Sequence, residues 1–267
     1  MKDRTQYNIL YSCTGEPKRG HKPFVAEHAL TWVLSGEMRF HVNDGDILAF
    51  PKGSICFVQK NQLVRVVKIP DAGKPFVSVN IFFRNDILQL YSAVNGIKAT
   101  GVYTGASIFH VPSDAFVKGF SDSLLPYFEQ PEQMTEALAG IKTNEALELL
   151  LRNPVMKNIL FDFNEPFKID LKAFMNKNFS YNVPLGQFAG LTGRSLSTFR
   201  RDFIKIFDLP PEKWLQKRRL EQAHYLIGQR GRRPSEVYTE VGFENFSHFS
   251  TSFKKFFGYN PSSIGMP

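Results

Sequence analysis

Cysteine is nearly absent. Cys13 and Cys56 are the two in 267 residues, too few for a disulfide scaffold and without the paired spacing of a zinc site. Both read as reduced thiols, and Cys56 lies in an apolar, strand-like stretch. No apolar run approaches the ~20 residues that a helix needs to cross a bilayer. The start, Met1-Lys2-Asp3-Arg4-Thr5-Gln6, lacks the apolar segment of a secretion signal. A cytoplasmic protein without a membrane partner is expected. Missing too is a close set of histidines and a glutamate able to hold a catalytic metal: His21, Glu27, His28 and His41 are scattered. The expectation is therefore no metal, no cofactor and no catalytic residue.

Acidic charge is also in deficit, with 25 Asp+Glu against 33 Lys+Arg, a net charge of +8. From residue 161 onward there are 16 Lys and Arg against 10 Asp and Glu, so the basic excess belongs to the C-terminal part. That asymmetry favours a polyanionic partner. With 43% hydrophobic and 22% charged residues the chain can bury a full core, and its length suits two domains.

What is present is an internal repeat at an offset of fifty residues, without gaps. It pairs Pro184 with Pro234, Ser197 with Ser247, Phe199 with Phe249, Phe203 with Phe253, Lys205 with Lys255, Phe207 with Phe257 and Pro211 with Pro261. In one copy Leu196, Phe199, Phe203, Ile206 and Phe207 fall at helical spacing, and in the other Phe246, Phe249, Phe253, Phe256 and Phe257 do the same. Each run predicts an amphipathic helix whose apolar side is buried, capped by Ser195 or Asn245. A shorter helical stretch opening at Pro184 or Pro234 precedes each, followed by a turn with Gly193 or Gly242. Short helix, glycine turn and longer helix make a helix-turn-helix, present twice.

An α-helix fits the major groove, where Arg reaches guanine O6 and N7 with two hydrogen bonds and Ser or Thr pairs with several base edges. The DNA-binding set expected from the sequence is Arg194, Ser197, Thr198, Arg200, Arg201 and Lys205 in the first unit. In the second it is Asn245, Ser247, His248, Thr251, Lys254 and Lys255. Arg200 and Arg201 are the base readers, while Lys205, Lys254 and Lys255, later in their helices, suit phosphate. A long helical stretch over 211–229, with Trp214, Leu215, Leu220, Ala223, Leu226 and Ile227, predicts a spacer able to hold the recognition helices ~34 Å apart.

These residues resemble the AraC/XylS-type bacterial transcription regulators. Gly193-Arg194-Ser195-Leu196-Ser197-Thr198-Phe199-Arg200-Arg201-Asp202-Phe203 is similar to that family's first recognition helix. Val241-Gly242-Phe243-Glu244-Asn245-Phe246-Ser247-His248-Phe249, with Phe253-Lys254-Lys255-Phe256-Phe257-Gly258 and Asn260-Pro261-Ser262, is similar to its second helix and closing motif. The resemblance spans about residues 168–263 and implies base contacts at Ser197, Arg200 and Arg201, and at Ser247, His248 and Thr251. Two positions depart from the pattern: Tyr238 stands where alanine is usual, and Ile264-Gly265 where an arginine is usual.

The N-terminal half reads as short strands over 24–34, 37–42, 47–50, 55–59, 63–69 and 76–83. Turns at Ser35-Gly36, Asn43-Asp44-Gly45-Asp46, Pro51-Lys52-Gly53 and Asp71-Ala72-Gly73 separate them. Such spacing predicts a barrel or sandwich, and the run Gly45 to Gly53 resembles a cupin turn and strand, the usual sensor domain of the family. A small molecule inside the barrel would meet His28 and Trp32. Helical spacing over 114–152, with Phe116, Phe120, Leu124, Ile141, Leu147 and Leu150, fits helices packed on the barrel or paired with a second subunit.

The expected architecture is α+β in two domains. A cupin-like β-barrel with packed helices, for sensing or dimerisation, covers 1–155, a linker covers 156–168, and an all-α double helix-turn-helix domain joined by a long helix covers 169–267. Expected partners are double-stranded DNA, RNA polymerase, a small-molecule or protein effector and a second copy of the chain. Two alternatives stand beside the regulator: a cupin-type enzyme with a helical appendage, and a protein-binding adaptor.

Overall fold

The computed structural model describes residues 4–19, 24–42, 46–164 and 168–264. His21, the Asn43-Asp44-Gly45 part of one expected turn, residues 165–167 of the expected linker and Gly265 lie outside the described residues. The chain divides into two compact units, Met1–Asn164 and Glu165–Pro267.

The first unit carries strands β1 (Arg4–Gln6), β2 (Ile9–Thr14), β3 (Lys18–Arg19), β4 (Phe24–Val25), β5 (His28–Ser35), β6 (Glu37–His41), β7 (Ile47–Pro51), β8 (Ile55–Val58), β9 (Gln62–Leu63), β10 (Arg65–Ile69), β11 (Phe76–Phe83) and β12 (Ile108–His110). Its helices are α1 (Asn85–Asn95), α2 (Ala115–Glu129), α3 (Glu136–Leu151) and α4 (Met156–Leu160). A six-stranded sheet runs β1-β2-β11-β5-β8-β12, a four-stranded sheet runs β3-β10-β6-β7, and β4 pairs with β9.

Strand alternation divides the apolar residues between two cores. Ala29 and Val33 of β5 join Met38, Phe40, Phe50, Cys56, Val58 and Phe76 between the two larger sheets. On the opposite face Leu30, Ile55, Phe57, Val79, Ile81 and Phe83 meet the helices through Phe120, Leu124, Leu147 and Leu150. The turn from β5 to β6, which carries the chain from one sheet to the other, needs glycine. Gly36 has φ +76°, and a Cβ there would lie 2.3 Å from the Ile69 carbonyl oxygen.

The expected barrel is corrected to two open, facing sheets. Among the described residues the edge strands β1, β12, β3 and β7 have one strand partner each. Local alternation specifies which side of a strand is buried but says nothing about closure, which needs long-range pairing of edges. Here β3 has two residues and β7 ends on Pro51, which has no N–H to give a neighbour.

Helices α2 and α3 appear where helical spacing predicts them and pack on the six-stranded sheet within the chain. Phe116 and Ile141, which share the apolar spacing, are 71% and 59% exposed. Helix α1 was not expected; its start gives little signal, since Arg84 there makes no side-chain cap. The expected linker also changes. Residues 156–161 are part of the first unit's core, with Met156, Ile159, Leu160 and Phe161 all buried, because their apolar spacing is that of one more helical turn.

The second unit is helical: α5 (Leu171–Asn178), α6 (Leu185–Leu191), α7 (Leu196–Phe207), α8 (Pro211–Gly228), α9 (Pro234–Glu240) and α10 (Phe246–Phe257). Helices α6–α7 and α9–α10 are the two helix-turn-helix units, joined by α8, whose 18 residues span about 27 Å at ~1.5 Å per residue. Phe199, Phe203, Phe249 and Phe253 are 0% exposed, and each buried ring contributes on the order of 2–3 kcal/mol. The apolar side is narrower than its spacing predicts. Leu196, Ile206, Phe246 and Phe256 are 40–46% exposed, because they stand at the edges of the apolar side, beside the line of Phe199 and Phe203 or Phe249 and Phe253 that is buried.

Candidate DNA-binding surface

Helix α7 begins at Ser195, whose hydroxyl accepts from the Thr198 backbone N–H at 3.3 Å and lies 3.1 Å from the Ser197 hydroxyl and 3.0 Å from that of Thr198. With Phe199 and Phe203 turned inward, Ser197, Arg200, Arg201 and Lys205 are exposed and Thr198 is half-buried. The Arg201 side chain is 65% exposed, its Nε 3.7 Å from Asp202 Oδ1. Arg200 donates from Nη2 to Glu212 Oε1 on α8 at 3.0 Å.

Arg194 is a correction to the expected set. Its side chain is 7% exposed, its Nε donates to Asp202 Oδ2 at 3.2 Å, and its Nη1 donates to the carbonyls of Thr192 at 2.6 Å and Ile169 at 3.0 Å. With its Nε and Nη1 engaged inside the turn and its side chain buried, this guanidinium is not presented to a base or phosphate as those of Arg200 and Arg201 are. Lys168 also reaches Asp202 at 3.2 Å. The Lys168 and Arg194 bonds hold the Asp202 carboxyl below the usual carboxylate range.

In the second unit Asn245 caps α10, its Oδ1 accepting from the His248 N–H at 2.7 Å. Its side-chain oxygen serves the helix start rather than a base edge. Ser247, His248, Thr251, Lys254 and Lys255 are exposed along α10 opposite Phe249 and Phe253. Lys254 and Lys255 stand in its last turn, where the helix dipole favours cations. Tyr238 packs its ring edge-on to Phe246 at 5.6 Å and beside Phe249 at 6.5 Å without displacing Phe249 from the core. Ile264 packs against the same core, and a Cβ at Gly228 would lie 3.1 Å from its Cγ2. An apolar contact thus stands where the resembled pattern has an arginine.

Contacts outside the expected DNA-binding set tie the second helix-turn-helix and the joining helix to the segment before the first. Arg219 on α8 donates from Nε to the Phe179 carbonyl at 2.9 Å and from Nη2 to the Tyr181 carbonyl at 2.8 Å. Asn182 donates to Glu244 Oε1 at 2.8 Å, and the turn before α10 passes so near the segment between α5 and α6 that a Cβ at Gly242 would lie 2.6 Å from the Ser180 carbonyl oxygen. Glu212 was likewise missed. No one-dimensional pattern marks a carboxylate twelve positions from its arginine across a turn.

The expected ligand contacts in the other unit are also relocated. His28 and Trp32 lie on the face of β5 that meets the helices, not between the sheets where a barrel ligand would sit. Trp32 borders an apolar pocket with Leu30, Ile55, Val79, Phe120 and Leu124. His28 is 2% exposed, stacks on Phe57 and accepts through Nδ1 from the Lys60 N–H at 3.2 Å. Burial, with Lys60 nearby, pushes its pKa down to about 3, so it stays neutral. Cys13 and Cys56 are free and buried, and burial pushes the Cys56 thiol up to about 12. Among the described residues no group of three His, Cys, Asp or Glu is placed to hold a metal, and no helix is long and apolar enough to cross a membrane.

Two family profiles match the chain: a "Helix-turn-helix domain" over residues 188–264 and an "ExsA N-terminal regulatory domain" over residues 28–161. The HTH-type transcriptional regulator ExsA of Pseudomonas aeruginosa is 25% identical over 253 residues, covering 88% of this chain and 85% of that protein. The HTH-type transcriptional activator RhaS of an Enterobacter species is 24% identical, covering 84% and 80%. The virulence regulon transcriptional activator VirF of Yersinia enterocolitica is 32% identical over 92 residues, 34% of either chain. Among solved structures, apo ToxT from Vibrio cholerae aligns over 98% of both chains at 12% identity with a TM-score of 0.46. With matching profiles on both sides of the 162–187 segment and two transcriptional regulators matched over 80% or more of their own length, the chain belongs to the AraC/XylS family of transcription regulators, with an N-terminal regulatory domain and a DNA-binding helix-turn-helix domain.

Proposed function

We propose that one chain reads two successive major-groove segments of a duplex, α7 entering the first and α10 the second. The observation that supports this reading most is the pairing of outward polar, cationic faces on the two repeated helices with a common scaffold, α8, stapled to both sides. Ser197, Arg200 and Arg201, and Ser247, His248 and Thr251, are the base readers. Lys205, Lys254 and Lys255 contact phosphate. Arg194 and Asn245 leave the DNA-contacting set for the reasons of geometry given above.

In the same reading the paired sheets of the first unit are a cupin-like sensor fold that receives a small-molecule or protein effector and pairs with a second copy. Relatives named as transcriptional activators support contact with RNA polymerase and a cytoplasmic place of action. The test of base reading is Arg200→Ala. It is expected to cost ~1–3 kcal/mol on a duplex selected by the wild-type protein and to relax the preference at one base pair. Equal loss on a scrambled duplex in a gel-shift titration would reject it.

A further inference from the structure

The ion pair between Arg200 and Glu212 places a carboxylate on the face that meets DNA, where negative charge opposes binding. Its position is fixed rather than incidental. Glu212 follows Pro210 and the buried Pro211 in the first turn of α8, where the helix dipole favours an anion. Two residues on, Trp214 packs on Phe203 at 5.5 Å and Phe207 at 4.5 Å, locking the start of α8 to the back of α7. Both charged side chains are more than half exposed, at 53% and 57%, and such pairs add little to stability. The helix-turn-helix itself does not require the pair, since the second copy has Ser250 and Ser262 at the matching positions around the same proline.

Resting on the base-reading role of Arg200, we propose that Glu212 is a specificity-determining positioning residue. The bond engages one of five guanidinium N–H donors, which leaves donors enough for a guanine edge while restricting the rotamers of a long side chain. On a matching base pair Arg200 bridges the base and Glu212. On a non-matching one, moving Arg200 to phosphate strands the carboxylate beside the DNA backbone. Discrimination thus contains a repulsive element as well as an attractive one.

The test uses the full chain. The duplex most enriched from a randomised pool and a scrambled duplex of equal length and composition are titrated with wild type, Glu212→Gln, Arg200→Ala and the double variant at several salt concentrations. Glu212→Gln is expected to bind the scrambled duplex about three- to tenfold more tightly, with a log–log salt slope steeper by up to about one unit. The selected duplex gains less, so the specificity ratio drops about two- to fivefold, and in the Arg200→Ala background the ratio no longer responds. An equal gain on both duplexes, or a ratio change that persists without Arg200, marks simple charge removal and overturns the proposal. Equal losses on both duplexes for Arg200→Ala remove the base-reading role itself. A selective Arg200→Ala loss with a Glu212→Gln ratio like wild type overturns the part assigned to Glu212 alone.

Discussion

Arg194 and Arg200 stand six positions apart in one helix-turn-helix unit and have opposite fates. Both belong to the family-like motif, and nothing in composition separates them. Exposure does: the Arg194 side chain is 7% exposed and the Arg200 side chain 53%. Arg194→Ala is therefore expected to lower unfolding stability by ~1–3 kcal/mol, the cost of stranding buried acceptors, while the ratio of selected to scrambled duplex affinity stays at the wild-type value. Urea unfolding with parallel binding titrations checks both halves. Its partner Asp202 adds a pH signature. A carboxyl held low in the fold stabilises above its unfolded pKa of ~3.9 and loses that contribution as pH falls through the lower folded value. The stability gap between wild type and Asp202→Asn should be full at pH 7 and should close on acidification below about pH 4.

At the scale of elements, the turns before and after α10 separate backbone strain from close approach. Gly258, ending α10, has φ +88° with open space where a Cβ would go, and Gly242, opening the turn before it, has φ +99° with no such space. Gly258→Ala is expected to cost about 1 kcal/mol, the price of a left-handed alanine. Gly242→Ala adds a clash with the Ser180 carbonyl oxygen and is expected to exceed ~3 kcal/mol; comparable urea midpoints for the two variants would refute the distinction. Helix type and placement were readable here because phenylalanine periodicity and caps at Ser195 and Asn245 agree. The width of the buried side was not readable. Leu196 and Phe256 have the spacing of core residues, yet whether a flank is covered depends on neighbours that periodicity does not name.

For the DNA-binding unit as a whole, the decisive contacts are those that fix two repeats to one scaffold. Arg219 holds the Phe179 and Tyr181 carbonyls and Gly242 meets Ser180, so the joining helix and the turn before the second recognition helix are both anchored to the segment just before the first repeat. Inserting about five base pairs, half a helical turn, between the two read segments should turn one segment away and weaken binding about a hundredfold. Arg219→Ala should soften that penalty by loosening the scaffold. An insertion that leaves wild-type affinity intact would show that the two units bind independently.

The sequence by itself determined the duplicated helix-turn-helix, the long joining helix, the β-rich first unit and the family, because each rests on local periodicity, caps and turns that recur in register. Tertiary structure alone decided that the sheets stay open, that residues 156–161 fold into the first core, that His28 and Trp32 face helices, and that Arg194 is internal. It also decided the pairing of Arg200 with Glu212. All of these depend on which groups distant along the chain come within hydrogen-bonding or packing distance, and burial and electrostatics act through space, where sequence order sets no distance.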